Sequence, residues 1–141
     1  MKNSIKTAQL ICKCAHAGQK DLAGEAYWKH PYEVAHLVSG KKAKIVAYLH
    51  DVLEDTDVGY DILGRYFTQD ILDALRAITH DKSVPYMPDY MNVVKRNSLA
   101  TQVKIADMEH NSKLNRLPHV TDKDIERVKK YSDCIKYLKQ K

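Results

Sequence analysis

Apolar residues recur along this chain at intervals of three and four, and nowhere do they alternate with polar residues over the length of a strand. Only 5 Gly and 4 Pro interrupt that spacing, so the sequence predicts an all-α fold. The expected architecture is a helical bundle of about six to eight helices. A length of 141 residues suits one domain, residues 1–141, with one core, and rules out a multidomain machine. The longest uninterrupted apolar run, residues 45–49, is far too short to span a bilayer.

Local signals place the helices. Ser4 can cap a first helix carrying Ile5, Ala8, Ile11 and Ala15 and ending near Gly18. Residues 19–30 read as a loop that leads into a helix with Pro31 in its first turn, where a missing N–H is harmless. That helix ends near Ser39 and Gly40. A third runs from Lys41 to Leu53, and short ones follow at residues 60–67 and 69–78. Residues 79–88, with Pro85 and Pro88, are expected to form a loop. A helical stretch from Asp89 to Leu114 is interrupted near Asn97 and Ser98. The last helix opens at Thr121, with Asp124 three residues on as a capping box, and is expected to bury Ile125, Val128, Ile135 and Leu138.

Charge and cysteine usage narrow the class. Lys and Arg total 23 against 18 Asp and Glu, a net charge of +5 spread along the whole chain. That excess is too mild to mark a nucleic-acid binder, and solvated surface charge accounts for the basic face of the last helix. Lys2, Asn3, Lys6 and Gln9 break any N-terminal apolar stretch, so no signal peptide is expected and the cytoplasm is the default compartment. The 3 Cys, at positions 12, 14 and 134, read as reduced structural thiols. Cys12 and Cys14 lie about 200° apart on a helix, which is poor geometry for a shared metal.

The third helix carries the chemistry. With His50 at zero on a helical projection, Glu54 falls at about 40°, Asp51 at about 100° and Asp55 at about 140°, opposite the aliphatic face of Ile45, Leu49, Val52 and Leu53. One imidazole and three carboxylates on one face repel unless a cation or proton compensates, and a divalent metal is the simplest compensation. The alternative is a solvated acidic helix end, which the helix dipole disfavours. Further ligands must come from elsewhere, and His30 and Asp107 are the candidates, with Asn111 one turn beyond Asp107 on the same face. Two His and two Asp suit Mn²⁺, Fe²⁺ or another first-row ion better than a thiolate-rich structural zinc site. A second His-Asp pair, His80-Asp81, lacks acidic companions and by itself reads as surface. His16 reads as a satisfied packing residue, His36 as structural and His119 as a loop residue. His110 reads equally as a support for a ligand or as a structural residue.

The strings 15–19 (Ala-His-Ala-Gly-Gln), 27–31 (Tyr-Trp-Lys-His-Pro), 50–56 (His-Asp-Val-Leu-Glu-Asp-Thr) and 103–111 (Val-Lys-Ile-Ala-Asp-Met-Glu-His-Asn) occur in the order and spacing of the HD-domain hydrolases. The chain most resembles the RelA/SpoT type, which removes the 3′-pyrophosphate from guanosine tetra- and pentaphosphate. The resemblance implies an HD-domain helical bundle holding one divalent metal, usually Mn²⁺, with Fe²⁺, Zn²⁺, Ni²⁺ and Mg²⁺ as alternatives. The matching ligand positions are His30, His50, Asp51 and Asp107. Glu54 and Asp55 match the catalytic acids that orient the attacking water and handle its proton. Lys82 matches a substrate-contacting Lys, which revises the surface reading of its loop, and Asn111, Arg127 and Tyr131 fall where the family binds nucleotide and phosphate. Lys104 joins Lys82 and Arg127 as a cation to neutralise substrate phosphates.

One departure stands out. A basic residue, typically Arg, packs against guanine in these hydrolases, and Asp21 stands in its place, with Ala26 where the family has Pro. A carboxylate cannot stack as a cation, although it could accept hydrogen bonds from a guanine edge, and Lys20 next door could substitute in part. The expected function is therefore a metal-dependent phosphohydrolase of a pyrophosphate or phosphate ester on a nucleotide substrate, (p)ppGpp-hydrolase-like and degradative only. The alternative is a catalytically degenerate HD module that binds a nucleotide or protein partner. No membrane or nucleic-acid partner is expected, and a homo-oligomer is compatible with the sequence.

Overall fold

The computed structural model describes residues 2–114 and 117–140. Six helices of nine residues or more form the frame: α1 (Ile5–Ala15), α2 (Lys29–Leu37), α3 (Lys41–Leu49), α6 (Gln69–Ile78), α8 (Ser98–Asn111) and α9 (Asp122–Lys139). Single turns or little more, α4 (Val52–Asp55), α5 (Tyr60–Leu63) and α7 (Met91–Lys95), connect them, with a π-helical turn at Tyr86–Tyr90. Among the described residues the β-structure is limited to one isolated antiparallel bridge, Lys20 with Ala26. The all-α bundle expected from the spacing is the fold observed.

The centre of the bundle is α3, whose residues 45–49 are all buried. A helix apolar on every side belongs inside, and α1, α2, α6 and α8 pack around it. Each of Ile45, Val46 and Leu49 contributes about 1.5–3 kcal/mol by leaving water. Caps fix the ends of its neighbours. Ser4 Oγ accepts from Thr7 N at 3.2 Å, the Asn97 side chain accepts from Ala100 N at 3.0 Å, and Thr121 with Asp124 forms the full capping box.

Several boundaries differ from the sequence expectation. The third helix does not continue to Leu53. It stops at Leu49, His50 and Asp51 form a turn, and α4 restarts at Val52. Asp51, at φ −103° and ψ −2°, sits in the sparsely populated bridge region, which reorients the turn that follows. The first helix stops at Ala15 rather than Gly18, and the 60–67 segment is helical only to Leu63. A wide turn spans Tyr86–Tyr90, ahead of Asp89, but Met87 inside it is extended at φ −130° and ψ 127°, so the Pro-broken segment stays kinked there. On α9, Leu138 is buried and Val128 and Ile135 are half-buried, but Ile125 is 55% exposed. Ile125 sits in the first turns of the helix, where apolar periodicity is present without a neighbour among the described residues to cover it.

Candidate active site and metal centre

The end of the buried α3 is where polar groups gather. His50, 3% exposed, directs Nδ1 at the carbonyl of Ala47, 2.6 Å away, so that Nδ1 carries the proton and Nε2 is left to face the interior of the site. From the first turn of α2, His30 brings its Nε2 to 2.7 Å from Asp107 Oδ1, while its Nδ1 lies 2.7 Å from Nδ1 of His110. Asp107 enters from α8, with His50 Nε2 3.3 Å from the same Oδ1. Asn111 Nδ2 donates to Oδ1 at 3.2 Å and Lys104 Nζ to Oδ2 at 3.1 Å. Asp51 Oδ2 lies 3.1 Å from His50 Nε2 and accepts from the hydroxyl of Tyr27.

The donor atoms of His30, His50 and Asp107 all lie within 4.8 Å of one another, and the three residues are buried. Two imidazoles turned with Nε2 toward one carboxylate, their outer nitrogens engaged by Ala47 and His110, form a donor set that can hold a divalent metal. A second group within the same spacing, Asp51, Glu54 and Asp55, adjoins it at the surface. Asp51 touches both, through its contact with His50. The break after Leu49 is what places His50 inward and the acids of α4 at the pocket wall.

Electrostatics follow from burial and pairing. Burial opposes charge on His50, but Asp51 and then Asp107 overcome it and hold the imidazole pKa well above its ordinary value. Burial likewise opposes ionisation of Asp51, and the charge and hydrogen bond of His50 bring its pKa down to about 2. Asp107 is pulled well below the carboxylate range, against burial, by Lys104 and His50. Lys104 is held well above the ordinary lysine value by Asp107, again against burial. Asp55 goes the other way: burial, then the like charges of Asp51 and Glu54, raise its pKa. A carboxylate so raised is suited to take up a proton.

These residues line a pocket of about 230 Å³ whose wall also holds Tyr27, His80, Tyr86, Tyr90, Asn111 and Tyr131. Glu54 Oε1 accepts from the backbone N–H of His80 at 2.9 Å, which fixes that acid against the 79–84 loop. His80, read as surface from its pair alone, is half-buried and packs on Tyr90 with ring centroids 4.5 Å apart. Tyr27, Asn111 and Tyr131 also line an adjoining pocket of about 360 Å³, together with Lys20, Asp21, Leu22, Lys113 and Arg127.

The structure sorts the remaining sequence candidates. Lys82 is exposed, and its charge is felt by Asp55. Lys104, expected to meet substrate phosphates, lines the smaller pocket and is also an ion-pair partner of Asp107, its side chain 14% exposed. Arg127 borders the larger pocket and pairs with Asp124 at 3.0 Å. Asp21 Oδ1 accepts from Ala23 N and Glu25 N, both at 2.9 Å, so that oxygen shapes its own loop. His16 is not the satisfied residue expected: its Nε2 is buried without a hydrogen-bond partner among the described residues. The sequence reading omitted Tyr27, Tyr86 and Tyr90. Tyr27 precedes His30 by three positions, a spacing that could have flagged it, whereas Tyr86 falls in the segment assigned to a loop and Tyr90 just inside the helical stretch expected from Asp89.

Helices α2, α3 and α8 converging on a buried His–Asp cluster define an HD-type helical bundle with a centre able to hold a metal. Comparison with known proteins gives the same answer. The bifunctional (p)ppGpp synthase/hydrolase SpoT of Escherichia coli K12 is 26% identical over 121 residues, which is 76% of this chain and 17% of that protein. The guanosine-3′,5′-bis(diphosphate) 3′-pyrophosphohydrolase MESH1 of Danio rerio is 32% identical over 108 residues, 69% of this chain and 60% of that protein. A solved structure of a metazoan ortholog of SpoT, described as hydrolysing ppGpp, superimposes with a TM-score of 0.78 at 20% identity, covering 96% of this chain and 85% of that one. No family model matches. The chain is thus similar in sequence to SpoT and MESH1 and shares its fold with the metazoan SpoT ortholog, and it spans about a sixth of the length of SpoT and 60% of that of MESH1.

Proposed function

We propose that the chain is a metal-dependent phosphohydrolase acting on a pyrophosphate or phosphate ester of a nucleotide, with a (p)ppGpp-like compound as the leading substrate. The observation that carries this reading is the buried His30, His50 and Asp107 cluster, of which His50 and Asp107 line one pocket with Asp51, Glu54 and Asp55. His30, His50, Asp51 and Asp107 would hold one divalent ion, with Mn²⁺ the leading candidate for this mixed nitrogen and oxygen set. When bound there, such an ion supplies Lewis acidity and neutralises charge at the phosphoryl group.

The chain's own residues do the rest. Asp55, its pKa raised, takes the proton of the attacking water, and Glu54, held by the His80 N–H, orients that water. Lys104 keeps Asp107 ionised and turned toward the two imidazoles. Lys82, whose charge Asp55 feels, would meet substrate phosphate, and Asn111 and Tyr131 line both pockets, with Arg127 in the larger one. A nucleoside in the larger pocket thereby presents its phosphates to the smaller one. The cytoplasm is the proposed compartment; among the described residues no helix is long and apolar enough to cross a membrane.

The test is phosphate and pyrophosphate release by Mn²⁺-loaded protein across guanosine alarmones, mononucleotides and cyclic nucleotides. Turnover of at least one is expected. His50→Ala and Asp107→Ala should lose both metal and turnover, while Glu54→Gln keeps metal and loses about 100-fold or more in rate. Metal uptake with no turnover on any substrate would instead support the binding-module reading.

A further inference from the structure

His16 and Gln19, in the turn after α1, take no part in the chemistry above. His16 is 1% exposed, and its Nδ1 lies 2.9 Å from Oε1 of Gln19. Gln19 Nε2 donates in turn to the backbone carbonyl of Asp55 at 3.0 Å. The directions of both bonds follow from the Asp55 end. A carbonyl oxygen only accepts, so Gln19 must turn its NH₂ group toward Asp55 and its oxygen toward His16. That oxygen also only accepts, so His16 carries its proton on Nδ1. The flipped amide would set two carbonyl oxygens against each other.

Asp55 is the last residue of α4, and its carbonyl is one of the orphan acceptors of a helix end. A four-residue helix cannot hold its own geometry, since one turn fixes several dihedrals for a single hydrogen bond. We propose that His16 and Gln19 form a positioning clamp: His16 orients the Gln19 amide, and Gln19 pins the end of α4 so that the Glu54 and Asp55 carboxylates face the pocket. The inference rests on the hydrolase reading for what those acids do.

Packing alone does not account for the imidazole. An apolar side chain of similar size would fill the space without burying the unpartnered Nε2, which costs about 1–3 kcal/mol. The turn is also built for the pair. Gly18, at φ +84°, lets Gln19 N bond back to His16 O at 3.0 Å, a conformation that favours glycine. Gln19 O accepts from Tyr27 N at 2.8 Å, and the Tyr27 hydroxyl donates to Asp51, so the same turn braces both acidic segments.

The test compares His16→Leu, Gln19→Met, their double variant and His16→Asn, whose amide nitrogen can stand where Nδ1 stood. In Mn²⁺-loaded protein, kcat should fall about 10- to 100-fold in the first three, with the double variant no worse than Gln19→Met. KM and metal content should stay at wild-type values, and His16→Asn should keep kcat within about threefold of wild type. The melting temperature of His16→Leu should change little, because loss of the unpartnered Nε2 offsets the Gln19 oxygen left without its donor, whereas a packing role would lower it. Unchanged kcat in His16→Leu, or additive losses in the double variant, overturns the clamp. Nitrogen-15 NMR of the imidazole needs no turnover: the proton belongs on Nδ1 in wild type, and an Nε2 proton there also overturns the clamp. Wild-type protein with the Nδ1 proton but no turnover would sink the hydrolase reading and leave the clamp geometry standing.

Discussion

At Lys104 a positive charge sits inside the protein, 3.1 Å from Asp107 Oδ2. Tyr86 and Tyr90 lie 5.6 and 5.5 Å from its Nζ, measured to the ring centroids, and supply further attraction. Truncating one partner of a buried pair strands the other, so Lys104→Met should destabilise metal-free protein by about 3 kcal/mol in chemical denaturation. A loss below about 1 kcal/mol would show that His30, His50 and Asn111 satisfy Asp107 without Lys104. The four proposed ligands were legible in sequence because a His-Asp pair beside further acids needs compensation, and few distant residues could provide it. The role of Lys104 was not, although its spacing of three from Asp107 on a helix held the signal. His16 was misread for a related reason: hydrogen-bond satisfaction depends on the partner's orientation, which sequence does not contain.

Among the elements, α3 and α4 show how much depends on a break of two residues. A continuous helix would also have put His50 and the acids on one face, so the grouping was readable from a projection. The sorting of His50 inward and Glu54 and Asp55 outward required the turn at His50 and Asp51, which no Gly or Pro announces. On α9, periodicity predicted a buried stripe, and the structure keeps Leu138 but exposes Ile125. Leu138→Ala should therefore cost about 2–5 kcal/mol, while Ile125→Lys should stay within about 0.5 kcal/mol of wild type. Thermal melts of the two variants check this. A large loss at Ile125 would mean that another surface covers that end of the helix.

For the whole molecule, the site couples folding to pH in the metal-free state. Asp51, at about 2, and Asp107 are depressed relative to the unfolded carboxylate. Their contribution is complete above about pH 4 and is lost as pH falls through the folded values. His50 is raised, so its contribution is complete below about pH 6.5 and is lost as pH rises through its folded value. Asp55, raised by burial and its acidic neighbours, subtracts a constant amount once ionised. Metal-free protein should thus be most stable between about pH 4 and 6.5 and weaken toward pH 8. A bound divalent ion reverses the upper limb, because it takes His50 as the neutral imidazole and displaces the proton that the acids would otherwise hold there. The gain in melting temperature on adding Mn²⁺ should accordingly grow from pH 6 to pH 8, with proton release on binding measurable by calorimetry in buffers of different ionisation heat. A melting temperature in chelator that climbs steadily from pH 5 to 8, or a Mn²⁺ gain that shrinks over the same range, would contradict the assignment of His50 as the group that exchanges a proton for the metal.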